Sequence, residues 1–254
     1  MAAKLSAAQK VRLKRDGCVV VPGVVSRERI DAVLREINHG LGAPRPEVKD
    51  AYGSDYLSYH STSSAALSLM DATPLRGLIA SLVGPGNAEP CSQAQIALRF
   101  PAPVGASLDN VGIHIDGVSI SHPGVIERYT LCAGVLLSDV PRADMGNLIF
   151  YPGTHVQLAQ AFKKKGLGAL DDGLLEVLPK VKPVHVTGKA GDVVLFHFQT
   201  AHDKAVNASP SVRYMAYFRV YHVDAWRDKS RDYTARALTN LWLEWPGMRG
   251  VRGA

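Results

Sequence analysis

Two side chains that commonly bind metal ions stand two residues apart at the end of a strand-like run. They are the imidazole of His114 and the carboxylate of Asp116, with Ile115 between them. Side chains at positions i and i+2 of a β-strand point to the same face, so both groups can reach one ion. A pair this short occurs by chance in many chains. Whether this pair indicates a metal site therefore depends on which other candidate ligands the sequence supplies.

A third metal ligand has to come from a distant strand. The segment Gly191–His202 contains the strongest β-like run of the chain and offers two histidines, His197 and His202. We favour His202, because it lies where the strand gives way to a turn, whereas His197 lies within the pattern. Two imidazoles and one carboxylate on one side of a metal leave three positions open, which suits Fe(II) binding a bidentate keto acid and then dioxygen.

An arginine completes the pattern. Arg213 lies eleven residues after His202, in the next strand-like run. Its planar guanidinium can form a two-pronged, charge-assisted pair with a carboxylate, for which it is better suited than a lysine ammonium. The order of these residues raises the weight of the weak His-x-Asp pair. We therefore expect Arg213 to anchor the distal carboxylate of 2-oxoglutarate.

The elements that position these side chains change along the chain from helical to strand-like. The predicted front comprises a helix, a strand, a capped helix, a polar irregular stretch and a second helical region, over Ser6–Asp16, Val19–Val21, Ser26–Gly40, Leu41–Ser64 and Ala65–Leu82. From Ser92 onward, short strand-like runs separated by Gly and Pro predict a sandwich or barrel. A mostly helical insertion, Val156–Pro179, interrupts them and is a candidate lid with Gly166 and Gly168 as hinges.

Four longer segments form a recognisable set: Asp16–Gly23, His114–Asp116, Gly146–His155 and Gly191–Arg213. Together they make the chain resemble the phytanoyl-CoA dioxygenase family of Fe(II)/2-oxoglutarate oxygenases over nearly its whole length. The resemblance implies a mainly β fold with flanking helices around a double-stranded β-helix, which is a cupin-like jelly roll. It also implies that His114, Asp116 and His202 bind iron and that Arg213 anchors the cosubstrate.

Two positions depart from the family pattern. Ile115 stands between the two ligands, where members often have glutamine, and Lys204 replaces a small hydroxyl residue two positions after the last histidine. Around the cosubstrate we name two further candidates. Thr130 could supply a hydroxyl group, and Arg99, at the end of the preceding strand, could contact an anionic group. A structural role for either residue is equally compatible with the sequence.

Several other aromatic and histidine side chains have plainer interpretations. His155 lies in a turn, where a structural hydrogen bond is expected rather than a metal ligand. Tyr52, Tyr56 and Tyr59 either line a substrate mouth or pack under a loop. Trp242 and Trp245 are expected to pack a C-terminal helix against the barrel.

Length and composition bound the class of protein. With 254 residues, of which 46% are hydrophobic and 20% charged, the chain can bury a sizeable core. We predict a single domain over residues 1–254, with helical support over about 1–90, a jelly-roll core over about 91–223 and a C-terminal helix over about 232–245. No apolar run approaches the roughly 18 residues that cross a bilayer.

Net charge and the number and spacing of cysteines limit the classes of binding partner and the cellular location to be expected. The formal net charge is +6, but Lys and Arg are spread along the chain, so we expect neither a nucleic-acid nor a membrane partner. Three cysteines, Cys18, Cys91 and Cys132, are scattered without metal-binding spacing and fit a reducing, cytoplasmic location. The expected partner is a small-molecule substrate, and the sequence leaves the oligomeric state open.

The predicted activity is that of a dioxygenase with Fe(II) as its metal and 2-oxoglutarate and O2 as cosubstrates. It would hydroxylate, desaturate or cyclise at an unactivated carbon of a small organic molecule, releasing succinate and CO2. One alternative is a cupin-type isomerase or hydrolase that uses another metal. Another is a catalytically silent binding module, which would tolerate loss of the metal-binding residues that are all present here.

Overall fold

A computed structural model describes residues 3–42, 56–107, 112–116, 128–166, 169 and 181–252. Tyr52, most of the Leu41–Ser64 stretch and the second half of the Val156–Pro179 insertion fall largely outside these residues, so the predictions made for them stay predictions. The described residues form two antiparallel sheets flanked by helices. This agrees with the mainly β, jelly-roll fold expected from the sequence.

The large sheet has six strands in the order β1-β7-β4-β9-β3-β2. These strands are β1 Cys18–Val21, β2 Tyr56–Ser61, β3 Ala94–Arg99, β4 Leu131–Leu136, β7 Val193–His197 and β9 Arg213–Val220. The small sheet has the order β6-β5-β8, with β5 Leu148–Phe150, β6 Val184–His185 and β8 His202–Lys204. A single β-bridge joins His114 to His202 and so extends the small sheet at the β8 side.

The helices lie before, between and after these strands. They are α1 Ala7–Asp16, α2 Arg27–Leu41, α3 Ser64–Asp71, α4 Leu75–Val83, α5 Thr154–Lys165, α6 Val223–Arg227 and α7 Arg231–Thr239, and a 3-10 turn follows at Pro246–Met248. α1 begins with a reciprocal capping box between Ser6 and Gln9 and ends at Gly17, whose φ is +78°. A Cβ at Gly17 would collide with the side chains of Thr200 and His155, so this position needs glycine for space as well as for conformation.

Alternation along the strands divides the core into two parts. One face of the large sheet contributes residues such as Ile96 and Phe218 to a cluster shared with Leu69 and Leu82 of the helices. The opposite face contributes residues such as Phe196 and Met215 to a second cluster, which also contains Leu148 and Phe150 of the small sheet. The second cluster fills the space between the sheets, and the predicted site residues lie at its edge.

Three details differ from the sequence predictions. His202 begins the short strand β8 instead of ending a strand, because residues 198–201 already form the turn that follows β7. Tyr56–Ser61, predicted as part of an irregular stretch, forms β2 and pairs with β3. The C-terminal helix α7 ends at Thr239 and not near residue 245. Each of these features depends on pairing or packing with distant residues.

Among the described residues, no single helix is long and apolar enough to cross a membrane, and only the pair Ser64–Asp71 and Leu75–Val83, bent by 52° at its break, meets the length and composition requirement jointly.

Candidate metal centre

The two histidines favoured by the sequence lie next to each other. The backbone of His114 and that of His202 exchange both hydrogen bonds, at 3.0 and 2.9 Å, and the ring centroids are 4.5 Å apart. The short strand β8 thus brings the distant His202 to the end of the segment that carries His114. This local pairing supplies the third side chain that alternation alone could not provide.

Both imidazoles are oriented by backbone carbonyl groups. Nδ1 of His114 lies 2.6 Å from the oxygen of Gly112, and Nδ1 of His202 lies 2.9 Å from the oxygen of Thr200. A neutral ring that donates its Nδ1 proton to a carbonyl presents an unprotonated Nε2. These Nε2 atoms lie 3.6 and 4.0 Å from Oδ1 of Asp116. The three candidate ligand atoms all lie within 4.8 Å of one another and could hold a metal ion.

The carboxylate of Asp116 uses its two oxygens differently. While Oδ1 faces the histidines, Oδ2 accepts hydrogen bonds of 3.1 Å from the Tyr129 hydroxyl and from Nη2 of Arg219. Burial alone would raise the pKa of Asp116, but His202, Arg219 and His114 outweigh it and lower the pKa below the ordinary value. Asp116 is therefore an anion with one oxygen fixed and the other available to a cation.

His202 stays neutral for a related reason. Burial, helped by the neighbouring His114, lowers the pKa of His202 to about 4 against the opposing effect of Asp116. An imidazole that is neutral at physiological pH keeps the Nε2 lone pair that a metal requires. The group is therefore poised for a cation without first losing a proton.

A buried carboxylate supports the loop before His114. Oδ2 of Asp203 accepts a hydrogen bond of 2.8 Å from the backbone N–H of Gly112, whose carbonyl in turn accepts from His114. A Cβ at Gly112 would come within 2.7 Å of the Asp203 carboxylate, so a larger residue would displace it. Asp203 thus helps to orient a candidate ligand without contacting the metal position itself.

The candidate ligands open into a cavity of about 490 Å³ that Arg213 also lines. Arg213 is buried, and its guanidinium is held by the carbonyl oxygens of Gly146 and Ala97 through Nε and Nη1. Lys204 and Tyr56 line the same cavity, with the lysine ammonium 5.2 Å from the centre of the tyrosine ring. The cavity therefore combines a candidate metal centre with a buried, oriented cation.

The other two residues proposed for the cosubstrate lie elsewhere. Thr130 is fully buried, donates to Glu244 at 2.6 Å and accepts from the backbone of His222 at 2.9 Å. Arg99 is buried as the cross-strand neighbour of Arg213, and its side chain packs on Gly146. Neither is among the residues that line the cavity. The geometry gives Thr130 a structural role in joining β4 to the C-terminal segment.

Arg219 is the residue that the sequence argument missed. On β9, residues 213, 215, 217 and 219 point to the same face of the sheet, so the alternation that carries Arg213 inward also carries Arg219 inward. Its Nη1 donates to Gln95 at 2.9 Å, while Nη2 reaches Asp116. The signal was present in the strand period, but it could not reveal the partner, which comes from a separate segment.

The rival histidine has a different environment. His197 is fully buried, and its Nε2 donates to the carbonyl of Leu241 at 2.9 Å while Nδ1 accepts from the backbone of Gln199 at 3.1 Å. Trp242 and Trp245 pack against its ring with centroids 5.5 Å away. Both nitrogens are therefore occupied. Nearby, Nε2 of His155 bonds to the Lys14 carbonyl, which agrees with the structural role expected for that histidine.

Solved structures with similar folds include those of SnoK, EctD and HygX. SnoK, a non-haem α-ketoglutarate-dependent carbocyclase from nogalamycin biosynthesis, is 23% identical with a TM-score of 0.62 over 86% of this chain and 84% of that one. EctD from S. alaskensis, solved with 2-oxoglutarate and 5-hydroxyectoine, is 19% identical with a TM-score of 0.62 over 87% and 77%. HygX from Streptomyces hygroscopicus, solved with nickel and 2-oxoglutarate, is 18% identical with a TM-score of 0.58 over 86% and 88%. At these identities the likeness establishes a shared fold.

Sequence comparison gives the family. No curated protein sequence matches the chain. The profile of the phytanoyl-CoA dioxygenase (PhyH) family, however, matches residues 13–215, which is most of the chain. The chain therefore belongs to the phytanoyl-CoA dioxygenase family of enzymes, the oxygenases that use iron and 2-oxoglutarate.

Proposed function

We propose that this enzyme oxidises an unactivated carbon of a small organic substrate, with His114, Asp116 and His202 as its iron ligands and Arg213 as the anchor of 2-oxoglutarate. Hydroxylation is the default outcome, and succinate and CO2 are the coproducts. The observation that carries this proposal is the convergence of three ligand atoms within 4.8 Å, in the cavity that also contains the buried guanidinium of Arg213.

The donor set fits Fe(II). Two imidazoles and one carboxylate on one side of an ion match the facial arrangement of non-haem iron oxygenases, which leaves room for a bidentate keto acid and dioxygen. Iron, 2-oxoglutarate and dioxygen, when bound, would together supply the chemistry that breaks an unactivated C–H bond, with dioxygen as the oxidant and 2-oxoglutarate giving up electrons as it becomes succinate and CO2. The chain's part is to hold the ion through Oδ1 of Asp116 and the two Nε2 atoms, which the carbonyls of Gly112 and Thr200 orient.

Arg213 would bind the distal carboxylate. Its bonds to the carbonyls of Gly146 and Ala97 fix the guanidinium, so binding the dicarboxylate costs little side-chain entropy. Lys204, two residues after His202, lies on the same face of β8 and adds a second cation to this cavity. It could therefore replace the hydroxyl group that relatives often carry there.

Asp116 bears on the type of reaction. Halogenating relatives of this fold have a glycine or alanine in place of the carboxylate, so that chloride can bind to iron. A chain that keeps Asp116 has no equivalent position for chloride. Desaturation or cyclisation remains compatible, and the SnoK and SnoN enzymes that share this fold are described as a carbocyclase and an epimerase.

The alternative, a cupin-type metalloenzyme with a non-redox metal, is less well supported. It would be expected to supply a fourth protein ligand, whereas the cluster within the described part of the chain has three members. It also would not account for a buried arginine beside the metal position.

The three cysteines are all free, which supports a reducing, cytoplasmic location as part of the proposal.

The test is anaerobic binding of Fe(II) and 2-oxoglutarate, followed by succinate detection with a panel of substrates. We expect stoichiometric binding of both, and succinate that depends on substrate and on Arg213. In saturating chloride, mass spectrometry should find a gain of one oxygen, or loss of two hydrogens for desaturation or cyclisation. A chlorinated product would contradict the assignment of Asp116, and an unchanged affinity for 2-oxoglutarate in Arg213→Lys would contradict the assignment of Arg213.

A further inference from the structure

A second cavity adjoins the candidate metal cavity. It has a volume of about 520 Å³ and shares three lining side chains with the first: Gln95, Tyr217 and Arg219. Its other walls come from the segment before β3 and from the residues that follow β9, including α6. Because Arg219 also donates to Asp116, this shared wall lies beside the candidate ligands. A molecule in the second cavity would therefore lie next to the reacting centre.

Most of the positive charge around this second cavity is already neutralised. Both oxygens of Glu244 accept hydrogen bonds from Arg128, and the carboxylate of Asp116 accepts one from Arg219. The other charged groups that line it are the carboxylates of Glu89 and Asp228 and the ammonium of Lys229. A polyanion such as a coenzyme A thioester would face two carboxylates with one ammonium to oppose them. The charges therefore favour a neutral or weakly charged occupant.

An indole ring forms part of the wall. Trp226 is 49% exposed, which makes it one of the few large hydrophobic side chains at the surface of the described residues. The Tyr221 ring meets it edge-on with centroids 5.3 Å apart, and the ammonium of Lys229 lies 4.5 Å from its centre. These contacts hold an apolar ring in a defined orientation while leaving much of it uncovered. Such a surface is suited to stacking against another planar ring.

The shared wall also offers hydrogen-bond donors. The side chain of Arg219 is 32% exposed, and its hydrogen bonds to described residues go to Gln95 and Asp116. A guanidinium has five N–H groups, so donors remain for an oxygen atom of a ligand. The cavity thus has an aromatic surface on α6 and donors close to the metal position. Its volume lies within the range of cavities that take small organic ligands.

We propose that the second cavity binds the substrate, and that the substrate is a planar ring compound with oxygen acceptors and little net charge, which stacks on Trp226 and accepts from Arg219. The reaction that follows rests on the proposed function, but binding does not. The ring takes the indole face opposite Lys229 or displaces that exposed side chain. Specificity in this enzyme then comes from α6 on one side and from the end of β9 on the other.

The test uses calorimetric titration of the full chain with three probes: 7-hydroxycoumarin as a planar oxygenated ring, cyclohexanol as a saturated ring and coenzyme A as a polyanion. We expect 7-hydroxycoumarin to bind with a Kd below about 1 mM and more tightly than either other probe. Trp226→Ala should weaken this binding about tenfold and Trp226→Phe should weaken it less, since phenylalanine retains a stacking face. Val104→Ala, at a fully exposed position outside both cavities, is the matched control and should change nothing.

Several results would overturn the inference. They are tighter binding of coenzyme A or cyclohexanol than of 7-hydroxycoumarin, no saturable binding of 7-hydroxycoumarin, or equal affinity in Trp226→Ala and the parent chain. Titration of Mn(II) and 2-oxoglutarate in the same preparation separates the two proposals. If both of these bind while the ring probe fails, only the substrate class is lost. If the ring probe binds while the metal fails, the iron site is lost and the substrate cavity stands.

Discussion

Two pairs of histidines lie close together in this fold and are used in opposite ways. His114 and His202 donate from Nδ1 to backbone carbonyls and turn Nε2 towards a carboxylate in an open cavity. His155 and His197 donate from Nε2 to the backbone and lie in a closed core beside tryptophans. Residue type is therefore a poor guide to function. What distinguishes the pairs is which nitrogen the backbone has already engaged.

The same contrast holds for the arginines. Arg128 is buried and gives its guanidinium to Glu244, with Thr130 and Tyr233 donating to the same carboxylate. Arg213 lines the metal cavity, and its hydrogen-bond partners among the described residues are the neutral carbonyls of Gly146 and Ala97. Burial lowers the pKa of Arg213, but an arginine starts so high that it stays protonated. A buried cation that the described part of the chain pairs with carbonyls and with no carboxylate is suited to an anionic ligand.

The largest expected effect is the loss of iron binding when His202 is replaced, compared with no loss when His197 is replaced. His202→Ala removes one of three protein ligands, so iron binding should fall by more than the roughly 10- to 100-fold that loss of an outer partner costs. Succinate formation should disappear with it. The matched control is His197→Gln, which keeps a donor for the Leu241 carbonyl and should bind iron normally. Iron titration would reverse the assignment if His197→Gln lost the metal and His202→Ala kept it.

The second effect separates charge from geometry at Arg213. Arg213→Lys keeps the positive charge but loses the fork, and truncating one partner of a buried charged pair costs about 2 to 5 kcal/mol. The 2-oxoglutarate requirement should rise by the corresponding factor while iron affinity stays nearly intact. Calorimetry of the Mn(II)-loaded protein measures both. Arg99→Lys serves as the comparison. A larger loss of 2-oxoglutarate affinity in that variant would mean that Arg99, and not Arg213, binds the distal carboxylate.

These assignments show how far the sequence reaches. Strand alternation was enough to put His114 and Asp116 on one face, and spacing was enough to select Arg213. Neither strand alternation nor spacing could predict that the Thr130 hydroxyl group donates to Glu244, which lies 114 residues further along the chain. The same limit applies to β2, an edge strand whose polar sequence shows its pairing only once β3 is beside it. Local period predicts which face a side chain takes, whereas its partner is decided by tertiary packing.

The third effect concerns the pair His155 and His197 in the closed core, and it is a change of protein stability with pH. Burial lowers the pKa of His155 to about 4, from an ordinary value of 6.5. The unfolded chain therefore binds the proton more readily, so the stability contributed by neutral His155 is present above pH 6.5 and is lost as the pH falls towards about 4. The shift corresponds to roughly 3 kcal/mol of unfolding free energy.

Urea denaturation at several pH values would measure this loss. His155→Gln should flatten the decline of the unfolding free energy between neutral and acid pH, whatever it does to the absolute stability. His39→Gln, at an exposed position on α2, is the control and should leave the pH dependence unchanged. If both variants kept the parental slope, the acid sensitivity would belong to other groups of the core, with the buried His197 as the next candidate.

The smallest effect concerns Arg219, which acts on the metal through Asp116. Oδ2 of Asp116 has two donors, the Tyr129 hydroxyl and Nη2 of Arg219, and either one alone can still orient the carboxylate. Arg219→Gln or Tyr129→Phe should therefore weaken Mn(II) binding by only about tenfold, at the lower end for loss of an outer partner. Arg219→Lys, which restores a charged donor, should recover part of that loss. Because the two donors share one oxygen, the double variant should lose more than the product of the single losses. Equal Mn(II) affinity in the parent and all four variants would mean that Asp116 is oriented by the backbone alone, as the histidines are, and that Arg219 serves only the neighbouring cavity.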